Sequence, residues 1–373
     1  MSGKRVVICA GAGGVGKTTV SAAIALGLAA SGRRVALVTI DPARRLAEAL
    51  GLDSLGNRPQ PVDGARFGGC GLEVRGELFA MMLDAKRTFD ELIDLLAPNA
   101  STREQILANP IYGHLSTAVA GSQEYTAIAK LFEIEHSGEY EVIVLDTPPS
   151  RHAIDFLQAP DRLIGFLEGR ALAAFLRPTG RAARAAGVMF TALRRLTGVG
   201  LLEDLTSFFQ LLAELLDGFR RRAADVQTLL TAGTSSFVIV TSPERAALEE
   251  AIFFGGELDR AGMRRSAVIV NRVHRLVPGE LDQSATTSRL AGTLGAALAE
   301  KVVRSHAEVQ RLARRDRHAL KRLRTALHDD PICLRDREAD VHDIDALIDL
   351  QRELFDYNAA RRTPVRELAS PAC

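Results

Sequence analysis

The residues that could do chemistry cluster first at Gly11-Ala12-Gly13-Gly14-Val15-Gly16-Lys17-Thr18, which fits the phosphate-loop pattern G-x-x-x-x-G-K-[ST] in full. Glycines at Gly11, Gly13, Gly14 and Gly16 let the backbone curl so that successive N–H groups can face phosphate oxygens. Val15, Lys17, Thr18 and Thr19 complete the expected triphosphate cradle. Lys17 should reach the β- and γ-phosphates, and the Thr18 hydroxyl should ligate a Mg²⁺ ion bridging them. Two further acids end apolar strands: Asp41 after Arg34 to Ile40, and Asp146 after Tyr140 to Leu145. Asp146 has the Walker B arrangement and is expected in the Mg²⁺ shell, directly or through water.

These groups need elements to carry them. Arg5 to Ala10 is a β-branched run that predicts a buried strand, and Thr19 to Ala30 predicts the helix after the loop. The helix adds its positive N-terminal end to the loop. Asp41 then falls at a strand's carboxyl end, on the rim where doubly wound sheets bind ligands. Further strands are expected at Leu78 to Leu83, Phe237 to Thr241 and Ser266 to Val270, with a last short one near Ile332. Gly51 to Gly71 predicts an irregular connection. Ala85 to Leu96 predicts an amphipathic helix closed by Pro98-Asn99. Gln105 to Glu135 predicts mostly helix, broken near Ala120-Gly121-Ser122.

From Asp161 to Leu230 strand patterns vanish. Leu201, Leu202, Leu205, Phe208, Phe209, Leu212, Leu215, Leu216 and Phe219 recur at helical spacing. The stripe suits ordinary helix-on-helix core; an apolar surface exposed in one nucleotide state is the alternative. Lys301 to Arg324 predicts a basic helix with a solvated face, since no aromatic residues interleave its charges. The resulting division is a phosphate-loop core over 1–160 and 234–350, a helical insertion over 161–233, and a tail over 351–373.

The whole-chain balance narrows the class. With 373 residues, 25% charged and a net charge of +1, no global field points to nucleic acid. Cys9, Cys70, Cys333 and Cys373 form no C-x-x-C pair, which argues against a disulfide framework or structural zinc within one chain. Met1 to Arg5 leads straight into the first strand, and the uncharged run Thr18 to Gly32 is too short for a bilayer. A cytoplasmic protein is expected.

The chain resembles the ArsA family of ATPases, which includes the arsenite-pump ATPase and the targeting factor for tail-anchored membrane proteins, within the MinD/ParA-like group. The resemblance rests on the Gly13-Gly14-Val15-Gly16-Lys17-Thr18-Thr19 loop, Asp41-Pro42-Ala43, Asp146-Thr147-Pro148-Pro149-Ser150-Arg151-His152, Ser242-Pro243-Glu244 and Val270-Asn271. It implies an α/β phosphate-loop fold, with a mostly parallel doubly wound sheet of about seven strands and a helical insertion. It implies Mg²⁺-dependent ATP hydrolysis driving a switch in a homodimer, or in a heterodimer with a paralogous ATPase. It also implies Asn271 at the adenine, attacking water positioned by Glu48 or Asp41, and a hydrophobic protein client or membrane protein partner. An anion or arsenite pump subunit and a positioning switch are the alternative outputs. Three positions depart from the family. Ala12 stands where a lysine reaches across the dimer, Glu48 where the targeting factors carry Asp, and the zinc-binding C-x-x-C and an arsenite-suited cysteine trio are missing. His152 is expected to be structural.

Overall fold

The structure is a computed structural model that describes residues 3–40, 45–110, 112, 123–147, 199–277, 282–337, 340–341 and 343–362. Eight strands form one sheet: β1 Val6–Ala10, β2 Arg34–Thr39, β3 Gln60–Val62, β4 Glu77–Met82, β5 Val142–Asp146, β6 Ser235–Thr241, β7 Arg265–Val273 and β8 Ile332–Arg335. Their order is β3-β4-β2-β5-β1-β6-β7-β8. All pairs are parallel except β3 with β4. The phosphate-loop strand β1 therefore lies inside the sheet, between β5 and β6. The chain first winds one way from it, to β2 and β4, and later the other way, to β6, β7 and β8.

Strand alternation divides the core. Val6 and Ile8 of β1 face one layer, while Val7 and Cys9 face the other. The first layer contains α4 (Ala85–Leu96), α6 (Gln123–Ser137), α7 (Val199–Glu214), α8 (Leu216–Thr231) and α9 (Arg245–Arg260). The second contains α1 (Lys17–Ala30) and α12 (Ile344–Arg362), with the short α2 (Arg45–Ala49) and α3 (Ala65–Gly69). A sheet covered on both faces calls for near-continuous apolar runs in its inner strands; β1, β5 and β6 are buried throughout, with the polar residues Asp146, Ser235, Ser236 and Thr241 at the strand ends.

Helix ends follow local chemistry. Asp84 caps α4 by accepting from the Arg87 amide at 3.0 Å, and α4 stops before Pro98. Asn99 then caps α5 (Ala100–Ala108) through the Thr102 amide. Asp282 caps α10 (Gln283–Leu294). The 32-residue α11 (Ala296–Leu327) follows and closes at His328, whose φ of 52° takes the left-handed conformation.

The sheet has one strand more than the seven expected. The extra one is β3, inside the stretch 51–71 that composition marked as irregular; that stretch also holds α3. Pro61 hides β3 from a propensity reading, yet a proline is tolerated on an antiparallel edge strand such as this. Strand β7 runs three residues past the expected Val270, so Asn271 sits within it. The expected break at Ala120-Gly121-Ser122 lies outside the described residues.

Phe208, Leu212, Leu215 and Phe219, the described buried part of the apolar stripe, lie in the first-layer core. Phe219 stacks on Phe89 of α4, and Phe208 meets Tyr112. This half of the stripe is core. Leu201, Leu202 and Leu205 carry side chains outside the described set, as does all of 148–198.

Candidate nucleotide site

The loop 11–16 leaves the carboxyl end of β1 and enters α1. A Cβ on Gly11 would stand 1.9 Å from the Val240 carbonyl oxygen of β6, so only glycine lets the loop pass its neighbour strand. Gly16 has φ +92° at the start of α1, and the space a Cβ would need is taken by the Asn271 carboxamide, 2.5 Å away. Asn271 Nδ2 donates to the Val15 carbonyl at 3.0 Å, which fastens the loop to β7. Ala12 and Val15 turn inward to the second-layer core, while Gly13 and Gly14 are exposed. Lys17 folds back over the loop, its Nζ donating to the Ala12 carbonyl at 2.8 Å; it is buried.

Under the loop, strand register lines up three side chains. Cys9 of β1 and Thr39 of β2 both pair with Asp146 of β5. All three take the α1 side of the sheet, by alternation from Val7, Leu37 and Val144. Asp146 is fully buried, and hydroxyls surround it. Thr18 donates to Oδ2 at 2.6 Å and Thr39 to Oδ2 at 2.9 Å, while the Ser21 hydroxyl, which donates to the Lys17 carbonyl at 2.8 Å, lies 3.5 Å from Oδ1. A carboxylate without solvent stays ionised only when such donors and a cation compensate it. Burial pushes the Cys9 thiol up to about 12; the Ser21 hydrogen bond and Lys17 oppose the shift, and Asp146 adds to it. Cys9 is therefore a neutral thiol near pH 7. The Thr147 amide and hydroxyl both donate to the Cys9 carbonyl, at 3.2 and 2.9 Å, tying the segment after β5 to β1.

The donors at the mouth of this row are hard oxygens, one carboxylate and two threonine hydroxyls. That set fits Mg²⁺, which takes one or two protein oxygens and fills its shell with water and substrate phosphates. No group of three or more His, Cys, Asp or Glu suited to a metal occurs among the described residues, so a dedicated all-protein cage is not what they offer.

A phosphate loop at the centre of a parallel sheet, with a buried acid bonded to its threonine, is the setting in which the comparisons with known proteins take their meaning. The family described as Anion-transporting ATPase, ArsA, matches residues 4–289. The chain is 29% identical over 276 residues to ATPase GET3 of Malassezia globosa, covering 73% of this chain and 74% of that protein. It is 28% identical over 294 residues to ATPase ARSA1 of Chlamydomonas reinhardtii, 72% of this chain and 35% of that one. It is 26% identical over 305 residues to a putative arsenical pump-driving ATPase of Aquifex aeolicus, 77% of this chain and 67% of that protein. The chain belongs to the ArsA ATPase family. It is an ATPase of the phosphate-loop class.

In this ArsA ATPase the structure brings Gly11 through Thr19, Asp146 and Asn271 together. Glu48 is exposed on α2, whose neighbours Leu46, Ala47, Ala49 and Leu50 are buried. Asp41 and Pro148 to His152 lie outside the described residues. Thr39 and Ser21 were missed in the sequence. A signal existed for each: Thr39 is a polar residue at the carboxyl end of an apolar strand, and Ser21 lies three residues after Thr18 on one helix face. Among the described residues no helix is long and apolar enough to cross a membrane.

Proposed function

We propose that this ATPase grips the triphosphate of ATP with residues 11–19 and holds Mg²⁺ through Thr18 and Asp146. The observation that carries the reading is the 2.6 Å hydrogen bond from Thr18 to the fully buried Asp146. It preorganises the two metal-side donors that the loop and the Walker B strand supply. When bound, Mg²⁺ would neutralise charge on the β- and γ-phosphates. Lys17 adds a second positive charge at the same oxygens, and the amides of the loop and the α1 N-terminus orient the phosphate chain. Asn271 bridges loop and β7, a suitable position from which to meet the adenine. Glu48 or Asp41 positions the attacking water.

Lys17→Ala is expected to lower ATP turnover by at least about 10²–10³-fold, the scale of losing one preorganised charge-stabilising group. Unchanged turnover in the purified variant would refute the assignment. Glu48→Gln and Asp41→Asn separate the two water-positioning candidates. The responsible residue is the one whose variant still binds a fluorescent ATP analogue but no longer hydrolyses ATP.

The output of the cycle follows the family. Hydrolysis would change the geometry of a homodimer, or of a heterodimer with a paralogue carrying lysine where this chain has Ala12, and so move a hydrophobic protein client or membrane protein partner. Burial of Phe208, Leu212, Leu215 and Phe219 removes those four stripe residues from any client surface. The pump reading draws on the Aquifex aeolicus relative's name. Against it, Cys9 and Cys333 sit on strands three spacings apart, roughly 14 Å, and Cys9 is a buried neutral thiol. Metalloid-stimulated turnover would favour the pump, and ATP-dependent binding to lipid or DNA would favour a positioning switch.

A further inference from the structure

At the far edge of the sheet from β3, the C-terminal half of α11 leans over β7 and the edge strand β8 and leaves a groove of about 840 Å³. Its floor is apolar: Val273, Leu276, Ala313, Leu320 and Leu334 line it, all buried or half-buried. Its rim is cationic, with Arg275, Arg317, Lys321, Arg324 and Arg335, every one exposed. No carboxylate lines it.

We propose that this groove docks an acidic, leucine-bearing segment of a partner protein. Charge complementarity selects the occupant. Arg324 pairs with Asp330 and Arg335 with Glu353, both outside the lining. Arg275, Arg317 and Lys321 make no ion pair among the described residues. Three such unpaired cations facing one concavity repel one another, since the acids nearest it, Asp316 and Asp336, face His274, and an acidic ligand relieves that repulsion. The floor decides between acidic ligands. A phosphate-backbone polymer would gain the rim but leave the apolar floor unmatched, and the lining offers no Phe, Tyr or Trp for a base to stack on, only the imidazoles of His318 and of His274, whose ring is held by Asp316. A peptide with leucines on one side and carboxylates on the other satisfies both.

The groove is also built rather than incidental. His274, at its inner end, sends its backbone N–H to Asp316 Oδ2 at 3.0 Å, and its ring Nδ1 lies 2.8 Å from the same oxygen. Arg315 holds Asp316 Oδ1 at 3.0 Å. Asp316 is fully buried on α11, so the two walls are locked to each other before any ligand arrives. Such preorganisation lowers the cost of binding.

The test uses the full chain without nucleotide, so its result stands apart from any statement about ATP. The probe is a fluorescein-labelled 16-residue peptide with leucine at every third or fourth position and glutamate elsewhere. Saturable binding by anisotropy is expected. Arg317→Glu combined with Lys321→Glu should weaken it roughly tenfold or more, about 1.4 kcal/mol, and Leu320→Ser should weaken it independently. Both rim residues are exposed, so the double variant should keep the wild-type melting temperature and basal ATP turnover; if it does not, Arg275→Glu on the opposite wall takes its place. Three outcomes would overturn the proposal: equal binding to wild type and variants, equal binding of a peptide with glutamine replacing every leucine, or equally tight binding of a 16-nucleotide oligothymidine.

Discussion

Two helices of this molecule have opposite relations to their surroundings. Helix α1 has eleven of its fourteen residues buried, because the sheet covers one side and α12 the other. Helix α11 is more than twice as long, and six of its 32 residues are buried. Its partner α10 buries none, and Leu294, Leu298, Val302 and Val309 stand 40–49% exposed along the pair. The difference teaches where rigidity is needed. The helix that starts at Lys17 must hold Thr18 in hydrogen-bond reach of Asp146, and packing on both flanks fixes it there. The long helix is anchored in its C-terminal half through Asp316, Leu323 and Leu327, while its N-terminal half buries Ala299 and Val303 and presents the other residues to solvent.

The sharpest way to break this contrast is a truncation inside α1. Leu26 is fully buried in the second-layer core, and Leu26→Ala should cost about 2–5 kcal/mol of unfolding free energy, read from the midpoint of a urea transition. A cost below about 1 kcal/mol would mean that α1 is not clamped as described.

The clamp itself is tested next. A Cβ on Gly27 would stand 2.1 Å from the Phe355 ring of α12, so that glycine is the seat on which α12 rests. Gly27→Ala should overpack the site and destabilise by about 1–3 kcal/mol. Phe355→Leu in the same chain should recover part of the loss, giving a non-zero coupling in a double-mutant cycle. Additive effects would show that the two residues do not share the contact.

Much of this clamp was invisible in the sequence, and the reason is physical. The phosphate loop is legible because its chemistry is local: eight consecutive residues define both conformation and ligand. The inner strands are legible because a doubly covered sheet demands unbroken apolar runs, as in Val142 to Leu145. Asp146 is legible for the same reason, being the acid that ends such a run. Thr39 and Ser21 are not, since only strand register and helix phase bring them to Asp146 from 107 and 125 residues away. The Gly27–Phe355 contact likewise spans the chain. The groove on α11 escaped because its other wall is β8, whose place beside β7 no local pattern announces. The basic face of α11 was legible as solvated charge, and most of it is exposed.

A smaller effect probes the electrostatics under the loop. The folded Cys9 thiol is held at about 12 against an ordinary value of 9.0. Below pH 9 both folded and unfolded chains keep it protonated, and it contributes no pH dependence. Between pH 9 and about 12 the unfolded thiol ionises while the folded one stays neutral, so the unfolded chain binds fewer protons and stability falls as pH rises. Cys9→Ala removes that titration. Its stability should therefore decline less between pH 8 and pH 10 than that of the wild type, by about 1 kcal/mol. Parallel decline would mean that Cys9 reaches solvent.

The smallest expected effect belongs to α11, and it completes the contrast by its size. Leu298 is a large apolar residue, yet it is 49% exposed and belongs to neither core cluster. A surface truncation away from caps, cores and buried pairs changes stability by within about 0.5 kcal/mol, so Leu298→Ala should leave the urea midpoint almost where it was. The same leucine-to-alanine change, made in two helices of one chain, thus separates burial from residue type: Leu26 and Leu298 lose identical atoms and differ only in what surrounds them. A loss at Leu298 approaching that at Leu26 would mean that α10 and α11 are covered in solution, and repeating the measurement across a hundredfold range of protein concentration would tell whether a second copy of the chain is the cover, because only an intermolecular contact makes the midpoint depend on concentration.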